Sequence, residues 1–281
     1  MLRIAVPNKG SLSGSAVQML REAGYAQRTN DRELACQDTG ASVEFLYLRP
    51  RDIATYVGSG DLDIGITGRD LLIDSGAAAE EMLTLGFAGS TFRFAARPGT
   101  ISTLSDLEGR RIATSYAGLV HRHLAERDVS AHVIRLDGAV ENAVRLGLAD
   151  VIADVVETGA TLRQAGLEVV GDPIMRSEAV LIRRLGAPSN GAVAQLAHRI
   201  EGVLVARQYV MVAYDVPEDK FEQAAALTPG MESPTVSPLA RTGWLAVQAM
   251  ILRTELHRVM DELYQVGARA ILATDIHACR L

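Results

Sequence analysis

Six residues, Val151-Ile-Ala-Asp-Val-Val156, constrain this chain more than any others. The run is apolar except for Asp154. A strand that apolar is buried on both faces, the habit of a parallel sheet covered by helices. An amphipathic helical stretch from Glu141 leads into it. Glu157-Thr158-Gly159-Ala160-Thr161-Leu162 follows it as a turn opening a new helix. In open α/β sheets, ligands sit beyond the carboxyl ends of the strands. Here that end carries Asp154 and Glu157 beside two threonines and a glycine. Carboxylates accept hydrogen bonds from sugar hydroxyls. A turn at a helix N-terminus aims backbone N–H groups and the positive end of the helix dipole at a phosphate. Gly159 lets the backbone take positive φ. The mix suits a sugar phosphate. The plainer alternative is a capped strand-to-helix turn with Thr158 or Thr161 as N-cap.

The rest of the first half alternates in the same way. Strands are expected at Leu2 to Val6, Ser42 to Leu48 and Asp63 to Thr67. Helices are expected from about Leu12 to Ala23, from Arg51 to Gly58 and from near Asp70. Such alternation predicts an α/β sheet. Gly60-x-x-Asp63-Ile64 leading to Thr67-Gly68-x-x-Leu71 is echoed by Gly147-x-x-Asp150-Val151 leading to Thr158-Gly159-x-x-Leu162. That echo is either a common helix-to-strand join or the trace of two similar lobes facing each other. Near Phe87 the chain is expected to cross to a second lobe. Its strands are Arg93 to Ala96, Arg111 to Thr114, Val133 to Leu136 and Val151 to Val156, with Glu178 to Arg183 as the return. A helix is expected over Val193 to Ala206.

From Tyr209 the pattern changes. Strands at Tyr209 to Tyr214, Thr235 to Leu239, Leu245 to Leu252 and Ala270 to Asp275 interleave with helices at Glu218 to Leu227 and Thr254 to Val266. This βαββαβ order predicts a ferredoxin-like module.

Composition excludes several classes of partner. The net charge of −6 with no basic block argues against nucleic acid or an anionic membrane surface. No apolar run approaches the roughly 18 residues of a membrane span. MLRIAVPNKG enters a strand at once, so no signal peptide and a cytoplasmic location are expected. Cys36 and Cys279 then read as free thiols.

Other positions are open to two readings. Lys9 follows the first strand, as a phosphate contact or a solvated loop lysine. Arg49 and Arg51 flank Pro50, with Arg49 the better candidate for phosphates. Asp70 is a site residue or an N-cap. Tyr116 is a site residue or a core aromatic. His121 and His123 lie two apart, a poor spacing for shared metal on a helix, and read as part of a solvent-facing helix. No G-x-x-x-x-G-K-[ST] loop and no G-x-G-x-x-G occurs.

The spacing from Glu141 through Gly147, Ala149, Ile152, Asp154, Val155, Thr158, Gly159 and Thr161 to Leu162 resembles the signature of the ATP phosphoribosyltransferase family, which opens histidine biosynthesis. The likeness extends through Pro7 to Gly10, Leu48 to Leu72, Arg111 to Tyr116, Arg135 to Glu141, Thr228 to Leu239 and Gly267 to Leu272. It covers nearly the whole chain.

The resemblance implies a bilobal α/β catalytic domain like that of periplasmic binding proteins, followed by a ferredoxin-like regulatory domain as in the long form. Residues 1–90 and 176–208 would form lobe I, 91–175 lobe II, and 209–281 the regulatory domain. The implied reaction joins N1 of the ATP adenine to C1′ of 5-phosphoribosyl 1-pyrophosphate (PRPP). It implies PRPP contacts at Lys9, Glu141, Asp154, Glu157, Thr158, Gly159, Ala160, Thr161 and Leu162. ATP contacts fall on Arg49, Asp70, Leu71, Ser90 and Tyr116. An L-histidine inhibitor site falls on Asp215, Met231, Ser233, Thr235 and Ala270. Mg²⁺ is expected, held mainly through substrate phosphates and one or two carboxylates. AMP is a further ligand the resemblance allows, and a homo-oligomer of dimers or hexamers is implied. No general base is assigned. Two rivals remain at this stage: a phosphoribosyltransferase of the other common fold, whose PRPP loop also reads acidic then T-G-x-T, and a cytoplasmic solute-binding or amino-acid-sensing protein without catalysis.

Overall fold

The computed structural model describes residues 1–30, 32–156, 159–188 and 191–280. The chain divides into two compact units, residues 1–21 with 25–193 and residues 22–24 with 194–281. In chain order the first unit holds β1 (Leu2–Pro7), α1 (Ser11–Glu22, whose last residue falls in the second unit), β2 (Ala35–Asp38), β3 (Val43–Leu48), α2 (Pro50–Ser59), β4 (Ile64–Gly68), α3 (Arg69–Ser75) and β5 (Ala79–Thr84). It continues with β6 (Ser90–Ala96), β7 (Arg111–Thr114), α4 (Ala117–Ala125), β8 (His132–Arg135), α5 (Asn142–Arg145), β9 (Val151–Val156), α6 (Ala160–Gln164), β10 (Glu168–Ser177) and β11 (Ala179–Arg184).

These strands make two sheets. The first runs β2-β3-β1-β4-β11-β5, with β3, β1 and β4 parallel and β11 antiparallel to both neighbours. The second runs β10-β6-β9-β7-β8, with β9, β7 and β8 parallel. The chain passes between the sheets twice, and the passages lie side by side. Leu85 N–H donates to Ala179 O at 2.9 Å, Ala179 N–H to Phe87 O at 2.9 Å, and Ser90 opposes Ser177. This is the bilobal arrangement that the sequence predicts.

β9 lies in the middle of its sheet. Val151, Ile152 and Ala153 are fully buried, and the strand opens only over its last three residues. Phe92, Phe94, Ile112, Leu119 and Val120 fill one face, and Ala113, Val140, Val144 and Leu162 the other. The both-faces-buried reading of VIADVV therefore holds for its first half. The three strands that the sequence reading passed over, β2, β5 and β10, all lie at sheet edges. β10 also carries Gly171 and Pro173 in an irregular stretch between Val170 and Met175, a pattern that edges tolerate and sequence periodicity does not reveal.

The second unit holds α7 (Gly191–Gln208, from residue 194 onward), β12 (Tyr209–Pro217), α8 (Phe221–Leu227), β13 (Thr235–Pro238), β14 (Trp244–Leu252), α9 (Leu256–Val266) and β15 (Arg269–Asp275). Its sheet is antiparallel in the order β13-β14-β12-β15. That is the βαββαβ, ferredoxin-like order predicted. β12 alternates strictly, burying Val210, Val212, Tyr214 and Val216 among Val247, Ile251, Val259 and Leu263. The Tyr214 and Thr228 hydroxyls share a buried hydrogen bond of 2.8 Å. The helix at 191–208, expected with lobe I, falls almost wholly in the second unit.

Candidate active site and its relatives

Where β9 ends, the backbone turns through Gly159 at φ +70° into α6. A β-branched or bulky side chain would be strained there. The turn and the strand end enclose a cavity of about 250 Å³ lined by Glu141, Asp154, Val155, Val156, Gly159, Thr161 and Leu162. Glu141 comes from just before α5, so two carboxylates from separate segments share one pocket. Ala160 opens α6 between Gly159 and Thr161. Glu157 and Thr158 lie outside the described residues. Lys9 stands exposed after β1 in the other sheet and does not line this cavity.

Burial raises the Asp154 carboxyl above the ordinary carboxylate range. The Glu141 and Asp70 charges add to the rise, while the Val155 N–H that it accepts at 2.8 Å and the Arg51 guanidinium oppose it. Asp154 thus feels charges from both lobes.

Across the cleft, Asp70 is 7% exposed and accepts a hydrogen bond from the Ser177 hydroxyl at 2.8 Å. The N-cap position of α3 is Gly68, so Asp70 is not the cap. The Tyr116 hydroxyl lies near the Asp70 carboxylate, and its ring meets Phe92 edge-on at 5.1 Å. The core-aromatic reading of Tyr116 therefore holds. Burial, then Asp70, drives its phenol far above the usual range, against the pull of Arg51. Leu71 is buried beside Asp70, and Ser90 opens β6 opposite Ser177.

Three residues that the sequence reading did not assign complete this cluster. Arg51 lies over the Tyr116 ring at 4.8 Å and bonds the Asp74 carboxylate at 2.7 Å. The other Asp74 oxygen accepts the Leu119 N–H at 3.1 Å, in the first turn of α4, so a lobe I carboxylate caps a lobe II helix. A Cβ at Gly118 would run into the Asp74 carbonyl, which explains a glycine there. Ser177 gave no signal in sequence. Arg51 did: Pro50 fills the first helical position, leaving Arg49 exposed outside the helix and Arg51 in its first turn.

The ATP phosphoribosyltransferase family profile matches residues 49–202. The profile for the HisG C-terminal domain matches residues 206–278. A Salinispora tropica ATP phosphoribosyltransferase is 67% identical over 281 residues, and a Streptomyces avermitilis one is 63% identical over 285, each covering all of both chains. The chain belongs to the ATP phosphoribosyltransferase family. A solved ATP phosphoribosyl transferase (HisG:HisZ) complex from Thermotoga maritima covers 72% of this chain and 99% of its own, at 25% identity and a TM-score of 0.61. The family's C-terminal domain is present here, as the long form requires.

In that second unit, the candidate inhibitor residues do not converge within one chain. Asp215 and Ala270 are close, because the ladder between β12 and β15 shifts register there and Ala270 takes φ +50°. Thr235 is exposed on β13, with Met231 and Ser233 exposed in the segment before it. β14 separates β13 from β12, so Thr235 is about 10 Å from the Asp215 strand at normal strand spacing. Asp215 and Thr235 nevertheless share the sheet face that α8 and α9 leave open, through the registers Asp215–Ala246 and Ala213–Gln248–Thr235.

Of the H-x-H pair, His121 is exposed as expected. His123 packs against the Phe94 ring at 5.8 Å, and burial lowers its imidazole below the usual range. Among the described residues no cluster of three or more metal-ligating side chains exists, and no helix is long and apolar enough to cross a membrane.

Proposed function

We propose that the cleft of the first unit joins N1 of the ATP adenine to C1′ of PRPP, releasing pyrophosphate, and that its two walls divide the work. The observation that carries this is the pairing of Asp154 and Glu141 in one cavity with the Gly159–Thr161 turn. Glu141 and Asp154 hold the ribose hydroxyls. Backbone N–H groups and the Thr161 hydroxyl hold the 5′-phosphate, with Glu157, Thr158, Ala160 and Leu162 completing the loop. Positive charge develops at C1′ as the bond to pyrophosphate breaks. The carboxylate pair beside it stabilises that charge, and a covalent nucleophile is not needed. Asp70, Leu71, Ser90 and Tyr116 form the ATP wall, with Arg49 and Lys9 meeting phosphates from lobe I. Arg51 and Asp74 position that wall through Tyr116 and α4.

A divalent metal would be held here mainly by the substrates' phosphates, with one or two carboxylates of the cleft, such as Asp154 or Glu141, adding hard oxygen donors. We assign it as Mg²⁺, which would neutralise charge on the departing pyrophosphate. The lobes take residues 1–90 with 176–193 and 91–175, and the regulatory domain lies in the unit that begins at residue 194. There L-histidine meets Asp215, Met231, Ser233, Thr235 and Ala270. The separation of β13 from β12 by β14 supports a homo-oligomer, dimer or hexamer, in which a second copy brings the two halves of that site together; the cytoplasm is its proposed location.

The test is an absorbance assay of the adenine ring with ATP, PRPP and Mg²⁺, with and without L-histidine. A change needing both substrates and suppressed by histidine is expected. No change, with histidine still bound, would leave a sensor without catalysis.

A further inference from the structure

A second cavity of about 430 Å³ lies at the opposite end of β9 from the sugar-phosphate pocket. Asp150, which lines it, immediately precedes that strand, roughly 13 Å along the backbone from Asp154 in the other pocket. Arg97, Arg110 and Arg111 also line it. Three guanidiniums against one carboxylate make a strongly positive hollow in a protein whose net charge is −6.

The single acid is already committed. Arg111 grips Asp150 with two nitrogens, Nη2 at 2.8 Å and Nε at 3.2 Å, and bonds the Gly147 carbonyl with the third at 3.0 Å. Arg97 and Arg110 are different. Arg97 Nη2 meets only the Val144 carbonyl, at 2.8 Å, and Arg110 Nε only the Asp106 carbonyl, at 3.3 Å. Among the described residues neither forms an ion pair. The nearby Asp106 carboxylate is occupied by the Ser102 and Thr103 N–H groups. Two planar forks thus bond backbone carbonyls, and although the Arg110 charge is felt by Asp106 and Asp150, neither guanidinium is taken up in an ion pair.

Guanidiniums pair two-pronged with phosphate oxygens, and a cleft lined by one sign of charge concentrates the opposite ion. The volume exceeds that of a single phosphate and lies within the range of small-molecule pockets. Ile101, Val144 and Ala149 give it an apolar wall.

We propose that this cavity is a binding site, separate from the catalytic cleft, for a small phosphorylated metabolite carrying two or more negative charges. Its phosphates face Arg97 and Arg110, and its body rests on Ile101, Val144 and Ala149. The helix whose Val144 carbonyl Arg97 holds is α5, which begins beside Glu141 in the sugar-phosphate pocket. The two sites therefore share one short helix.

Calorimetry of the full-length chain with tripolyphosphate as probe tests this without turnover, so its failure leaves the catalytic reading untouched. The wild type is expected to bind one equivalent per chain that PRPP does not displace. Arg97→Gln with Arg110→Gln should lose that equivalent, and Arg110→Gln alone, which gives up only one long carbonyl bond, should weaken it about tenfold. The proposal is overturned if PRPP displaces all bound tripolyphosphate, or if both variants bind as the wild type does. Citrate binding equally well at this site would assign it to carboxylates and overturn the phosphate class.

Discussion

The two units hold their candidate residues in opposite ways. In the first, residues of α2, α3, α4, β9 and the segment before α5 come within reach of one another's charges, mostly buried or half-buried, and Arg51–Asp74 and Asp70–Ser177 are directly bonded. In the second, the candidates lie on an open sheet face, on strands separated by β14. Bond-making chemistry needs its groups held within tenths of an ångström, in a site that excludes water. A regulatory site that reports assembly gains from being incomplete in one chain. The contrast separates a cluster gathered within one unit from candidates spread over an open sheet face.

The contrast can be broken first at Gly159. A Gly159→Val chain must hold a β-branched residue at φ +70°, a strain of about 1–3 kcal/mol. A KM for PRPP raised by ~10²-fold is expected in steady-state kinetics, with histidine binding intact. An unchanged KM would detach the turn from the phosphate. The next largest effect falls on Asp74. Asp74→Ala leaves the Leu119 N–H and Arg51 without their partner, at about 2–3 kcal/mol. Calorimetric melting should show the first unit destabilised by several degrees and the second unmoved.

Asp215→Asn sharpens the other side. It should weaken histidine inhibition about tenfold, a loss of about 1.4 kcal/mol, with KM for both substrates unchanged. A shift in either KM would place Asp215 outside a purely regulatory role. The smallest effect is expected for Tyr116→Phe, which keeps the ring on Phe92 and Arg51 but removes the hydroxyl from Asp70. A rise of about fivefold in KM for ATP corresponds to one hydrogen bond of roughly 1 kcal/mol.

What the sequence showed depended on how local the information was. VIADVV announced a central strand because its apolar run records burial, as did the near-continuous run of β1, and the strict alternation of β12 records one buried face. Edge strands β2, β5 and β10 carry mixed residues, because one side of each lacks a partner and the pattern is diluted. The Glu141–Leu162 pocket was legible because its residues lie within one stretch of chain. The Arg51–Asp74–Leu119 link joins positions 51, 74 and 119, and Asp70–Ser177 spans 107 residues, so neither leaves a local trace. Arg51 was half visible in R-P-R: proline marks the helix start, and only the helix's direction selects which arginine turns inward.

The central claim is that Asp154 and Glu141 carry the transfer. The most direct measurement is turnover of Asp154→Asn with Glu141→Gln, taken together with its melting temperature at pH 7 and its histidine binding. The Asp154 carboxyl is raised in the fold, so the folded chain holds that proton more tightly than the unfolded chain. The ionised form costs stability once the pH rises through the ordinary carboxylate range and above it, and removing the charge lifts that cost. The expected result is turnover down by ~10³-fold or more, a melting point a few degrees higher, and histidine binding unchanged. A double variant that still turns over ATP and PRPP at near wild-type rate would contradict the account.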